Sequence, residues 1–378
     1  MDNKVIVKVI ANEHGNIGHL QLNKPEALNA LDLDMIKTMF TQLMAWRNDS
    51  RIGAVFIDSS IDKAFSAGGD IVSLYKAMDT NDEGKLPDFL ADFFTQEYRF
   101  DYCLHAYPKP VICWGNGIIM GGGLGVFLGA SIKVMTETAR VAMPEVSIGL
   151  FPDVGASYFF NKMPKGVGTF LGLCAANVNA LDCVEIGLAD YAIMNSKKEQ
   201  VLQALASSKS FEQEYLQNLF AQLHATSKTD MPQGKLHGLY NELARFDECD
   251  NLGQVETLLL ALNEQLPNNK VFKSALSSFL AASPISLHLV VQQLARAKHL
   301  NLAQCFEMEL SMARRCCLGG EFKEGIRALV IDKDKQAAWQ FSHYLDVTSR
   351  VVESHFTQFN LSPHPLATLI QEFGDYHG

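Results

Sequence analysis

The sequence predicts an α/β fold followed by a helical C-terminal region, on three observations. Short apolar, β-rich runs alternate with glycine-punctuated loops and helical spacing up to about Met194, the pattern of strands interleaved with helices. Beyond Met194 strand signals nearly vanish and helical spacing takes over. Two glycine loops, Phe65-Ser66-Ala67-Gly68-Gly69-Asp70 and Met120-Gly121-Gly122-Gly123-Leu124-Gly125, each follow a candidate strand and open a candidate helix. At 378 residues the chain is long enough for one large domain and a smaller one. The expected division is a core over 1–196, a helical insert or linker over 197–282 and a C-terminal helical region over 283–378.

Residues 4–10 and 17–22 alternate apolar and polar around Glu13-His14-Gly15-Asn16, which predicts a hairpin. Asp32 is placed to cap a helix over 33–46. Residues 52–57 read as a strand, followed by the first glycine loop. A polar stretch over 79–88 precedes an aromatic helix over 89–107, which Pro108-Lys109-Pro110 stops. Residues 111–114 read as a strand feeding the second glycine loop and its helix, and 132–135 and 140–142 as further short strands. Residues 197–280 read as helical, with polar breaks at 227–234 and 267–269. Ser283 and Pro284 supply an N-cap and a first helical position, and three helical segments follow with a hinge at Gly319-Gly320. No internal repeat or low-complexity tract interrupts this order.

Composition narrows the function. With 48% apolar and 20% charged residues the chain is an ordinary globular protein. A formal charge of −10 lacks the basic footprint of nucleic-acid binding. Met1-Asp2-Asn3-Lys4 has no signal-peptide character, and the apolar stretch 111–134 is broken by glycines and Lys133. A cytoplasmic protein with no membrane partner is expected. The eight cysteines form no CxxC framework and read as reduced thiols, with Cys316-Cys317 a helical pair rather than a redox site. The eleven histidines form no HExxH or closely spaced ligand set, so no metal site is expected.

The most informative stretch is Ala142-Met143-Pro144-Glu145-Val146-Ser147-Ile148-Gly149-Leu150-Phe151-Pro152-Asp153, which sets two carboxylates on a rigid turn. Each carboxylate could be a surface group or a helix cap. The apolar neighbours argue for burial, which raises a carboxylate pKa and marks functional sites. Paired carboxylates beside backbone N–H donors suit acyl chemistry on a thioester: one handles a proton or attacks, and the donors hold the developing oxyanion. The glycine loops could instead serve tight packing, with Asp70 capping the next helix. Neither loop is a dinucleotide fingerprint or a P-loop. Glu97, within Phe93-Phe94-Thr95-Gln96-Glu97-Tyr98, reads from these residues alone as a solvated or salt-bridged helix carboxylate.

Taken together, Leu22-Asn23-Lys24-Pro25-Glu26-Ala27-Leu28-Asn29-Ala30-Leu31, the segments 65–71 and 116–125, and 143–155 resemble the enoyl-CoA hydratase/isomerase (crotonase) superfamily. Met143-Pro144-Glu145, Gly149-Leu150-Phe151-Pro152-Asp153-Val154-Gly155 and the run 322–334 are similar to its hydroxyacyl-CoA hydrolase branch. The resemblance implies a crotonase-like spiral of ββα turns with a helical C-terminal region, its two oxyanion donors at the ends of adjacent turns. By position, Gly69 and Gly122 match the oxyanion donors, Glu145 the principal catalytic carboxylate and Asp153 its acidic partner. Glu97 matches a residue that contacts the acyl group and its hydroxyl, against the reading from residues alone. Ala67, with the backbone near Glu26 and Leu28, matches the wall that receives coenzyme A. Hydratases of the superfamily carry a second glutamate where this chain has Gly125. The implied reaction is therefore hydrolysis of a short, branched β-hydroxyacyl-CoA thioester, 3-hydroxyisobutyryl-CoA in valine breakdown being favoured. Glu145 would act as base or as nucleophile. Coenzyme A is part of the substrate, no separate cofactor is implied, and a homo-oligomer is compatible. An enoyl-CoA hydratase or isomerase is the same-fold alternative, and a non-catalytic CoA-binding or scaffold protein the different-class one.

Overall fold

The computed structural model describes residues 3–79, 85–357 and 362–376. The polar stretch expected over 79–88 lies partly outside them. The predicted hairpin pairs β1 (Val5–Ile10) with β2 (Asn16–Leu22), antiparallel, from Val5 opposite Leu22 to Ile10 opposite Ile17. Asp32 caps the helix Leu33–Arg47 by accepting from the Met35 N–H at 3.0 Å.

The chain then repeats one move. A long strand is laid down in a first sheet, a short one in a second, and the chain leaves the second strand into a helix or turn. The long strands β3 (Ile52–Ser59), β5 (Val111–Gly115) and β7 (Ile132–Met135) are parallel neighbours. The short ones, β4 (Ala64–Ser66), β6 (Ile118–Met120) and β8 (Arg140–Ala142), are parallel neighbours in the second sheet. With β9 (Tyr191–Ala192), the described residues form a six-stranded sheet in the order β1-β2-β3-β5-β7-β9 and a three-stranded sheet in the order β4-β6-β8. This is the expected spiral of ββα turns. The strands β4, β6 and β9 were not expected. At two or three residues they are too short to show a period, and they exist only through pairing with distant segments.

Burial on both faces explains why the long strands read as continuous apolar runs. Val55, Ile57, Val111 and Cys113 face the main core, whereas Ala54, Phe56, Ile112 and Trp114 face a second apolar cluster. That second cluster is closed by Val201 and Leu205 of the helix Lys198–Ala206 and by Leu216 and Phe220 of Gln213–Ala225. The main core extends from Val5 to Phe373 and takes in the C-terminal helices. No single described helix is long and apolar enough to cross a bilayer.

The C-terminal region is more broken than the three segments expected. Pro284–Ala297 starts at the predicted Ser283 cap, whose Oγ accepts from the Ser286 N–H at 3.0 Å. Leu302–Gly319 follows and ends at Gly320, φ 87°. Glu321–Ile326, a π turn over Arg327–Ile331 and the helices Ser349–Thr357 and Leu369–Phe373 complete it. All eight cysteines are free thiols.

Candidate active site

The spiral brings the sequence-predicted residues together because each follows a strand of the second sheet. Gly69 comes just after β4, Gly122 just after β6 and Glu145 just after β8. Parallel neighbours lie about 4.8 Å apart, so residues leaving their C-terminal ends form a row.

Gly69 is pinned from behind. The Leu31 N–H donates to Gly68 O at 2.8 Å and the Asp70 N–H donates to Leu31 O at 2.8 Å. In a strand-like bridge the groups of the intervening residue point the other way, so the Gly69 N–H faces away from Leu31. Gly68 has φ 107°, a left-handed value that favours glycine. Gly122 opens the helix Gly122–Leu128, so its N–H has no acceptor within the helix. A Cβ on Gly122 would lie 3.4 Å from Gly69 N and 2.2 Å from Glu97 Oε1. A side chain there would have to displace the Glu97 carboxyl. One residue earlier, a Cβ on Gly121 would lie 3.0 Å from Glu145 Oε1. The two N–H-bearing glycines, Glu97 and Glu145 thus converge on one spot, where the donors can receive a carbonyl oxygen beside two carboxyls.

Glu97 projects from the helix Asp88–His105 and is buried, 3% exposed. The solvated reading is overturned, because an aromatic face of Phe93, Phe94 and Tyr98 sinks this helix into the core. Glu145 and Asp153, each 4% exposed, are likewise not surface groups. Asp70 fills the capping role, accepting from the Ser73 N–H at 3.2 Å, and also pairs with Lys24 at 2.9 Å. Ala67 donates its N–H to Leu28 O at 3.0 Å. Leu28 and the exposed Glu26 thereby form a rim beside the Gly68-Gly69 turn.

Asp153 stands on a strained turn. Val154 and Gly155 follow it with φ 51° and 89°. A β-branched residue in the left-handed region costs about 1–3 kcal/mol and persists only where its surroundings over-determine it. Gln293 Nε2 donates to Pro152 O at 2.7 Å before the turn. After it, Glu309 accepts from the Gly155 N–H at 2.8 Å and the Ser157 N–H at 3.0 Å. Tyr98 donates its hydroxyl to Asp153 Oδ2 at 2.7 Å. The 3₁₀ turn Glu145–Ile148 is held as tightly. Its Val146 carbonyl accepts from the Ser283 N–H at 2.9 Å, and a Cβ on Gly325 would lie 2.3 Å from Ile148 C. The run 322–334 that carried part of the resemblance therefore packs directly on the carboxylate turn.

Desolvation dominates the electrostatics. Burial pushes the Glu97 and Glu145 carboxyls well above the usual carboxylate range, and neighbouring Asp153 adds to both shifts. Asp153 rises to about 6, burial outweighing the Tyr98 hydrogen bond. Asp101, fully buried one helical turn beyond Glu97, is pushed up by burial and then by Glu97 and Asp153. Its Oδ2 lies 2.7 Å from where a Gly125 Cβ would sit, with Val154 Cβ also at 2.7 Å. Gly125 is therefore a packing glycine: no acidic side chain fits there.

Sequence reasoning missed Tyr98, Asp101, Gln293 and Glu309. Asp101 shares a helical face with Glu97 at the i+4 spacing, a signal that was present. Glu309 and Gln293 sit far along the chain in helices without a local motif.

The model of the enoyl-CoA hydratase/isomerase family matches residues 17–356. The chain is 33% identical over 362 residues to the mitochondrial 3-hydroxyisobutyryl-CoA hydrolase of Danio rerio, covering 95% of this chain and 92% of that one. It is 30% identical over 355 residues to the Homo sapiens protein of the same name, covering 94% and 90%. Among solved structures, an enoyl-CoA hydratase from Rhodobacter sphaeroides 2.4.1 superposes with a TM-score of 0.81 at 27% identity, covering 96% of this chain and 99% of that one. A carnitinyl-CoA dehydratase from Mycobacterium thermoresistibile superposes equally well, TM-score 0.81 at 27% identity, covering 96% and 98%.

Proposed function

The chain belongs to the enoyl-CoA hydratase/isomerase family, and we propose that within it this protein hydrolyses a short β-hydroxyacyl-CoA thioester, 3-hydroxyisobutyryl-CoA, to the free hydroxy acid and coenzyme A. The observation that carries the reading is the convergence of Gly69, Gly122, Glu97 and Glu145 on one spot while Gly125 is packed against Asp101 and Val154. Adding water across a double bond by two glutamates lacks its second acid at Gly125. Thioester cleavage needs only the oxyanion donors and the Glu145/Asp153 pair.

The Gly69 and Gly122 N–H groups receive the thioester oxygen and stabilise the tetrahedral oxyanion, a donor of this kind contributing about 2.7–4 kcal/mol to lowering the barrier. Glu145 in its ionised form either takes a proton from the attacking water or attacks the carbonyl to give a mixed anhydride that water opens. Both routes form a C–O bond, break the C–S bond and use the same donors. Asp153, held by Tyr98, orients the attacking water or relays to the departing thiolate the proton that this water gives up, so the proton ends on the thiol of coenzyme A and the carboxylates return to their starting state. Glu97 meets the hydroxyl of the acyl group. The rim of Glu26, Leu28 and Ala67 receives coenzyme A, which is part of the substrate. A homo-oligomer fits this assignment and is read from the sedimentation of the purified protein.

A paired assay tests the reading. Free-thiol release from 3-hydroxyisobutyryl-CoA is compared with the loss of enoyl absorbance from a short enoyl-CoA. Thiol release with little hydration is expected, and strong hydration without thiol release would replace the hydrolase by a hydratase.

A further inference from the structure

We propose that Glu309 is a positioning residue for Asp153, a part supplied by the C-terminal helical region without which the acid of the turn is misaligned. The inference rests on the hydrolase reading for its kinetic consequence and on geometry for its structural one.

Glu309 is fully buried on Leu302–Gly319, far in sequence from the turn it serves. Its Oε2 accepts from the Gly155 N–H and its Oε1 from the Ser157 N–H, at 2.8 and 3.0 Å. These donors lie at the start of the helix Ala156–Phe160, where N–H groups have no acceptor within the helix. A fork of two oxygens on two N–H groups fixes the direction in which the chain leaves the left-handed pair Val154 and Gly155. Asp153 immediately precedes that pair, and its carbonyl accepts from the Ala156 N–H at 2.9 Å. Gln293 holds the other side through Pro152 O. Asp153 is thus suspended between two clamps, and its carboxylate meets Tyr98 only while both hold. Burying an acid among other acids is unfavourable in itself, and the two backbone bonds to a strained turn are what this carboxylate provides in return.

The test is Glu309→Gln, which keeps the shape and one accepting oxygen but turns the other acceptor into an amide N–H₂ donor. On 3-hydroxyisobutyryl-CoA, kcat is expected to fall about 10- to 100-fold, the scale of a sub-ångström to ångström misplacement, with KM changed by no more than about twofold. Adding the same substitution to Asp153→Asn should lower kcat no further, since residues acting through one another are not additive. Amide hydrogen exchange over residues 153–160 should quicken in Glu309→Gln whatever substrate is turned over. Unchanged exchange overturns the proposal, as does an unchanged kcat or an undiminished extra loss in the Asp153→Asn background. If wild type releases no thiol at all, the hydrolase reading fails while the exchange measurement still decides the role of Glu309. Should Glu309→Gln fail to fold, Glu309→Asp, one methylene shorter with both carboxyl oxygens kept, takes its place with the same expected outcomes.

Discussion

Tyr98 donates its hydroxyl to Asp153 Oδ2 at 2.7 Å, joining the helix that carries Glu97 to the turn that carries Asp153. The bond sets the proton inventory of the site. It favours the ionised form of Asp153 while burial opposes it, leaving the carboxyl at about 6. Tyr98 itself is pushed up by burial and by the charge of Asp153, so it remains a donor.

Tyr98→Phe removes the donor and keeps the ring against Phe306, whose centroid is 5.6 Å away. A hydrogen bond to a charged group contributes about 1.5–3 kcal/mol. The expected outcome is a kcat lowered by about 10-fold or more with KM nearly unchanged, measured as thiol release. A rise confined to KM would move Asp153 from catalysis to binding.

Glu145→Gln is near-isosteric but offers neither base nor nucleophile. Loss of a positioned base lowers kcat by about 10²–10⁴-fold. Titration calorimetry with coenzyme A should find the same affinity as wild type. An unchanged kcat would remove Glu145 from the reaction.

The proposed contact of Glu97 with the acyl hydroxyl predicts that wild type prefers 3-hydroxyisobutyryl-CoA strongly over isobutyryl-CoA. Burial keeps this carboxyl protonated more readily than an exposed glutamate, so the unpaired group in the poorer complex is a buried acid rather than a full charge. Discrimination should still exceed the roughly 1–3 kcal/mol of a missing methylene, because a polar partner is stranded. Glu97→Ala should shrink the ratio of the two kcat/KM values; an equal loss on both substrates would assign Glu97 to structure.

Gly125→Glu restores an acid where hydratases of the family have one, yet no hydration is expected from it. The new Cβ would meet Asp101 Oδ2 and Val154 Cβ, both at 2.7 Å. Overpacking of this kind costs about 1–3 kcal/mol, so Tm should fall and hydrolysis with it. Substantial enoyl-CoA hydration by the variant would show that the pocket accommodates the second acid after all.

Stability should fall with rising pH through the Glu309 carboxyl. Burial raises it from 4.5 to about 8 in the folded chain, so folding takes up a proton between those values. Its stabilising contribution is complete below the unfolded value and lost as pH rises through the folded one. Thermal unfolding between about pH 5 and 8 should therefore show a steeper decline of Tm in wild type than in Glu309→Gln. Parallel slopes would show that Glu309 does not titrate in this range.

Local chemistry made much of this protein readable from its residues. The hairpin of β1 and β2 follows from period-two alternation, the helix Leu33–Arg47 from its Asp32 cap and apolar spacing, and Pro284–Ala297 from Ser283 and Pro284. Gly69, Gly122, Glu145 and Asp153 sit in short, dense motifs that carry the family resemblance, while the residues alone left packing and capping roles open for them. The tertiary structure decided the rest, because burial and long-range pairing are properties of neighbours distant in sequence. The strands β4 and β6 exist only as partners of one another and of β8, and their stacking is what sets Gly69 beside Gly122 and Glu145. Glu97 looks like any helix carboxylate until its helix is sunk among aromatic side chains. Asp101 occupies the space that Gly125 vacates, and Glu309 and Gln293 reach the Asp153 turn from helices well over a hundred residues downstream. Those contacts carry no local signature, since a buried carboxylate or amide is selected by the polar groups it meets across the fold and not by its neighbours along the chain.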